Sequence, residues 1–171
     1  MAFWDIFKTK KTDSENLSTI HLKIKELLPH EEEDKLIKTA CISGLLARVA
    51  TIDFEVHKNE IEQMIQSLTS WGDLTKTDAE NVVKIALEEI KDLSGLENHK
   101  YCHPLNEIMK PNDRYSLLKA LFSIAASDGS VDESESEEIR VICISLRLQH
   151  KDFISARASV LDNLRALRKD P

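Results

Sequence analysis

The sequence predicts an all-α fold, a single domain packed as a bundle of about seven to eight helices. Three observations predict it. The 171 residues include only 4 Gly and 4 Pro, too few breakers for the many tight turns of a short-stranded β fold. Hydrophobic residues make up 42% and charged residues 31% of the chain, the balance of a folded globular protein. Apolar residues recur at three- and four-residue spacing, the signature of helices with one buried face. A chain of this length supplies one proper core.

The first helix carries Leu17, Ile20, Ile24, Leu27 and Leu28, and Pro29 ends it. Glu31, Glu32, Glu33 and Asp34 then suit the positive end of a second helix, whose apolar side is Leu36, Ile37, Ala40, Cys41, Leu45 and Val49. A third, near 57–70, bears Ile61, Met64, Ile65 and Leu68 and ends at Gly72. Thr77 and Glu80 have the spacing of a capping box for a fourth, in which a hydroxyl and a carboxylate satisfy each other's free backbone N–H groups. Val83, Ala86, Leu87 and Ile90 carry it towards Gly95. Residues 96–111 read as a connector, with room for one short helix after Pro104. Asn112 is placed to cap a helix with Leu118, Leu121, Phe122 and Ala125 on its face. Asp132 and Glu135 form the next capping pair, ahead of Ile139, Ile142, Cys143 and Leu146. A last helix carries Phe153, Val160, Leu164 and Leu167 and ends in basic residues.

The formal charge of −7 is the wrong sign for wholesale phosphate-backbone binding, so no nucleic-acid partner is expected. Cysteines at 41, 102 and 143 are odd in number and widely spaced, which argues against a disulfide framework and for a reducing compartment. No run approaches the roughly 18 to 20 apolar residues of a membrane span. The segment from Met1 to Lys8 is too short and too interrupted for a signal-peptide core. A cytoplasmic protein is the expectation. Residues 1–12 read as a mobile aromatic and basic segment, and Phe3, Trp4 and Phe7 beside Lys8, Lys10 and Lys11 would give at most weak peripheral contact with the inner face of a membrane.

Sliding the chain by 75 residues lays Ala50-Thr51-Ile52-Asp53-Phe54-Glu55-Val56 onto Ala125-Ala126-Ser127-Asp128-Gly129-Ser130-Val131, and Glu60 onto Glu135. Leu46 meets Leu121 and Val49 meets Ile124. The expectation is a helix–turn–helix unit used twice about a pseudo-twofold axis, over residues 36–92 and 113–168. In each copy an apolar helix ends, the chain turns at an Asp, a Val tucks inward and an acidic helix begins. Gly129 can adopt the positive φ that such an exit favours. Phe54 cannot do so cheaply, so the first turn is expected to differ or to be held by packing.

The run Ala125-Ala126-Ser127-Asp128-Gly129-Ser130-Val131-Asp132-Glu133-Ser134-Glu135 resembles the signature of the tellurite-resistance TerB family, in which Ala-x-Ala-Asp-Gly is followed by a Glu on the next helix. The resemblance covers residues 30–170 and makes 13–171 a TerB-like helical domain. It implies an all-α fold with a pseudo-twofold repeat, and an acidic surface suggested to hold divalent cations. It also implies a biology of resistance to tellurite, colicins and phage, often near the membrane, with no firmly attached enzymatic activity. Phe54 departs from the pattern, since the first turn lacks the family's glycine.

The chemistry-bearing set is acidic: Asp128, Asp132, Glu135, Glu137 and Glu138, with Asp53, Glu55, Glu60 and Glu62. Converging carboxylates suit hard cations such as Ca²⁺ or Mg²⁺, and Asp53, Glu60, Asp128, Asp132 and Glu135 are the candidate metal residues. The arrangement is not an EF-hand, because Glu133 and Ile139 stand where that loop needs a Gly and a bidentate Glu. The competing view is that Asp128 satisfies turn amides, Asp132 and Glu135 cap a helix, and the other acids are solvated. His99, Cys102 and His103 offer a sparse set for a softer metal. No phosphate-binding loop, nucleophile elbow or metalloprotease motif is present, so no enzyme is expected. Two functions follow as expectations. One is a non-enzymatic adaptor that binds a protein partner, in a stress-response or envelope-associated process, through its acidic face or a groove between the repeats, with an exposed acidic patch and no buried cluster of perturbed groups. The other is a divalent-cation-binding regulatory domain in which carboxylates of the two turns converge.

Overall fold

A computed structural model describes residues 13–90 and 98–169. Eight α-helices account for most of them: α1 Asp13–Leu27, α2 Glu33–Ala50, α3 Lys58–Gly72, α4 Lys76–Ile90, α5 His99–Ile108, α6 Pro111–Ala125, α7 Glu133–Ser145 and α8 His150–Lys169. A 3₁₀ turn, Ala126–Asp128, extends α6. The fold is all-α, with no strand among the described residues.

Helix α2 is the centre of the molecule because its sequence is apolar around most of its circumference: from Leu36 to Ala50 only Lys38 and Arg48 are not buried. It packs against α1, α3, α4, α5, α6 and α7. Such a helix needs neighbours at close range, and Gly44 supplies one contact, since a Cβ there would lie 2.3 Å from the Tyr101 ring of α5. Helix α6 is the second apolar column, burying Leu117, Leu118, Leu121, Phe122 and Ile124. Phe122 meets Phe153 of α8 with ring centroids 5.3 Å apart in a tilted pair. Arg114, also buried, donates to the Leu146 carbonyl and to Asn106 Oδ1 at 3.0 Å, and so neutralises the C-terminal end of α7.

Three boundaries differ from the sequence-based expectation. Thr75 rather than Thr77 starts α4, since its Oγ1 accepts from the Asp78 amide at 3.1 Å. Helix α5 runs straight through Pro104 instead of beginning after it. Burial of Tyr101, Cys102 and Leu105 on one face offsets the backbone bond that the proline removes. Lys110 rather than Asn112 precedes α6, because Pro111 occupies the first helical position, where its missing N–H has no partner to lose. Gly95 and the segment 1–12, with Phe3, Trp4 and Phe7, lie outside the described residues. Among the described residues no helix is long and apolar enough to cross a membrane.

Candidate functional site

The two acidic turns are built by the same bonds. In the first, the Phe54 amide donates to the Thr51 carbonyl at 3.1 Å and the Glu55 amide to Asp53 Oδ1 at 3.1 Å. In the second, the Gly129 amide donates to the Ala126 carbonyl at 2.9 Å and the Ser130 amide to Asp128 Oδ1 at 2.9 Å. Each turn then leads into a helix whose third residue reaches back: Glu60 Oε2 accepts from the His57 amide at 2.7 Å, and Glu135 Oε2 from the Asp132 amide at 2.9 Å. Asp132 Oδ1 completes the second box by accepting from the Glu135 amide at 2.8 Å. Val56 and Val131 both pack against the core.

Phe54 meets one arm of the expectation drawn for it. The first turn lacks the 3₁₀ segment of the second, and packing of the ring does not hold it: Phe54 keeps a left-handed φ of 65° and is 93% exposed. The local hydrogen bonds hold the strained backbone, at a cost of roughly 1–2 kcal/mol for a residue with a Cβ. Gly129 adopts φ 102° at the equivalent place without that cost.

The turns are neighbours. Helix α3 and the 3₁₀ turn touch, and Asn59 Nδ2 lies 3.5 Å from the Ser127 carbonyl. Glu60 is only 5% exposed. Burial, and then the charges of Asp53 and Asp128, push its carboxyl above the usual range against the pull of the His57 amide. Glu135 is affected more strongly. Burial, and then Asp132, Asp128 and Glu60, raise it to about 7 despite its bond to the Asp132 amide. Asp53, Glu60, Asp128, Asp132 and Glu135 therefore act on one another as one electrostatic group. Their oxygens are partly committed to turn and cap amides, however, and among the described residues no three His, Cys, Asp or Glu side chains are gathered closely enough to hold a metal ion.

The remaining acids of the set are placed elsewhere. Glu138 accepts from Arg48 Nε and Asn98 Nδ2, both at 2.8 Å, tying α7 to α2 and α5. Glu137 takes a two-pronged bond from Arg140 at 2.8 and 2.6 Å. Glu62 lies 3.7 Å from Lys58. Cys102 is fully buried beside Cys41, and burial raises its thiol to about 12, the opposite of what a thiolate ligand needs. Two participants are not legible from sequence. Arg168, near the end of α8, donates to the Gly129 carbonyl at 2.7 Å; Asn59 bridges towards the second turn.

An all-α domain organised around two capped acidic turns is the class that fold and site define. The family model for tellurite resistance protein TerB matches residues 38–158, and the chain belongs to that family. The match runs from within α2 into the first half of α8 and includes both turns. Comparison with curated proteins and with solved structures finds no significant match.

Proposed function

We propose that this tellurite-resistance-type domain is a non-enzymatic adaptor that binds a protein partner through the surface of its paired acidic turns. The observation that carries this reading is Phe54. An exposed aromatic ring held on a left-handed backbone, between the exposed carboxylates of Asp53 and Glu55, is a poor choice for stability alone. It is a good anchor for an interface, where buried aromatic side chains contribute most. The surrounding charge selects a basic segment on the partner and steers its approach. A stress-response process near the envelope, on the cytoplasmic side, is the setting the family suggests.

A second reading is favoured by a separate observation, the raised carboxyls of Glu60 and Glu135. The adaptor reading, as framed from sequence, expects no such perturbed groups. Close unneutralised carboxylates are relieved by a proton or by a hard cation. A divalent cation, Ca²⁺ or Mg²⁺, would be held by Asp53, Glu60, Asp128 and Glu135 after those side chains leave their caps, with Asp132 at the edge. Cation binding would then act as a regulator by removing repulsion between the turns.

One experiment separates the two. A photo-crosslinking residue placed at position 54 is expected to give a discrete cross-linked species in cells, lost when Asp53→Asn and Asp128→Asn are combined. Absence of any cross-link, together with calorimetric Ca²⁺ or Mg²⁺ binding that the same double variant abolishes, would replace the adaptor reading with the regulatory one.

A further inference from the structure

Away from the acidic turns, a groove of about 300 Å³ lies between α3 and α6, lined by Gln63, Gln66, Ser70, Trp71, Ser116 and Lys119 among others. In a chain of net charge −7, the lining of this groove contains one cation and no acid. Lys119 makes no ion pair among the described residues, which it shares with Lys38 and Lys84. The side chains of Gln63, Gln66, Ser70 and Ser116 likewise make no hydrogen bond among the described residues, while Ser67 and Ser123, also in the lining, donate to the Gln63 and Lys119 carbonyls at 2.8 and 3.0 Å. Trp71 also lines a neighbouring cavity of about 320 Å³, where Ile42, Leu68 and Ile108 meet Asp34, Lys35, Lys38 and Asp73, so the indole stands between two recesses.

We propose that this groove binds a phosphorylated sugar. The ring of such a ligand, with its alternating C–H and hydroxyl groups, would lie against the indole of Trp71. The amides and serine hydroxyls would meet its hydroxyls, and Lys119 would take the phosphate as a point charge. An apolar ligand would leave the amides and hydroxyls unmet, and a cationic one would face Lys119. A free anion without the ring would use one residue of the set.

The test uses the full chain with Trp4→Phe, so that the single remaining tryptophan reports on the groove. Glucose 6-phosphate is expected to change Trp71 fluorescence saturably, with an apparent Kd in the range of about 0.1–1 mM. Glucose and inorganic phosphate, each alone, are expected to bind at least about tenfold more weakly, and Lys119→Met to weaken glucose 6-phosphate by about tenfold while leaving the melting temperature unchanged. No saturable change with glucose 6-phosphate up to about 10 mM overturns the proposal. So does a response that Lys119→Met leaves intact, or one that inorganic phosphate reproduces at the same concentration.

Discussion

Glu60 and Glu135 occupy the third position of α3 and α7 and each bends a carboxyl oxygen back to an amide at its own helix start, His57 at 2.7 Å and Asp132 at 2.9 Å. Each also feels a charge from the opposite turn: Asp128 raises Glu60, and Glu60 raises Glu135. Two helix caps, separable in sequence by 75 residues, thus share one electrostatic environment. A cap favours the ionised carboxylate and the neighbouring cap opposes it. At Glu135 the opposition, led by burial, prevails.

The stability of the domain carries that imprint. A carboxyl whose native pKa stands at about 7 against an ordinary 4.5 binds more protons folded than unfolded across that window. The Glu135 contribution is therefore fully present below the ordinary value and lost as pH rises through about 7. Glu135→Gln keeps an oxygen for the Asp132 amide and removes the titration. Chemical denaturation should show a flatter pH profile for the variant, and about 1 kcal/mol of extra stability at alkaline pH once solvent screening is allowed for.

The two turn residues with positive φ should respond in opposite directions. Phe54→Gly relieves a strained backbone and gives up almost no buried surface, so it should stabilise by about 0.5–1 kcal/mol after the glycine's own entropy is counted. Gly129→Ala puts a Cβ on a φ of 102° and 2.6 Å from the Arg168 guanidinium, and should destabilise by about 1–2 kcal/mol. Thermal melts of the pair measure both. If Phe54→Gly also abolishes partner cross-linking from a neighbouring position, the strain is retained for binding.

Much of this was legible in the residues. The offset that aligns Asp53 with Asp128 and Glu60 with Glu135 pointed to matching local hydrogen bonds in the two turns, because similar local sequence makes similar turns. The Asp132–Glu135 box was readable from spacing alone, as a cap is a local device. The helix starts expected at Thr77 and Asn112, and the break expected at Pro104, fail for the opposite reason. Neighbouring threonines are equivalent to a pattern, and only burial of Tyr101 and Leu105 decides that a helix tolerates Pro104. Arg168 meets Gly129 across 39 residues of chain, and no periodicity encodes that contact. Phe54 broke the expected rule because local hydrogen bonds outweighed a backbone penalty of a kcal/mol or so.

Close packing of α2 on α5 should be intolerant of one methyl. Gly44→Ala drives a Cβ into the Tyr101 ring, at 2.3 Å from its nearest atom. In a buried contact on both sides, the expected loss is about 2–3 kcal/mol, measured by urea unfolding, and Tyr101→Leu should recover part of it by vacating the ring's edge.

Acid should loosen α1. His21 is buried and lies 2.9 Å from Glu33 at the start of α2; burial, outweighing the attraction of Glu33, lowers its pKa below 6.5. The neutral ring is the native form, so its contribution is present above 6.5 and lost as pH falls through the lower native value. Hydrogen-exchange protection factors in α1 should drop across that window while those in α6 stay level. Equal loss in both helices would assign the effect to global acid unfolding.

The most direct test of the paired turns is a carbon-detected NMR titration of the glutamate carboxyls, with Glu135 followed in the native chain and in Glu60→Gln. The expected result is a Glu135 midpoint near 7 in the native chain, shifted downward when Glu60 loses its charge. A Glu135 midpoint at the ordinary carboxyl value, unmoved by Glu60→Gln, would contradict the account and leave two independent helix caps in its place.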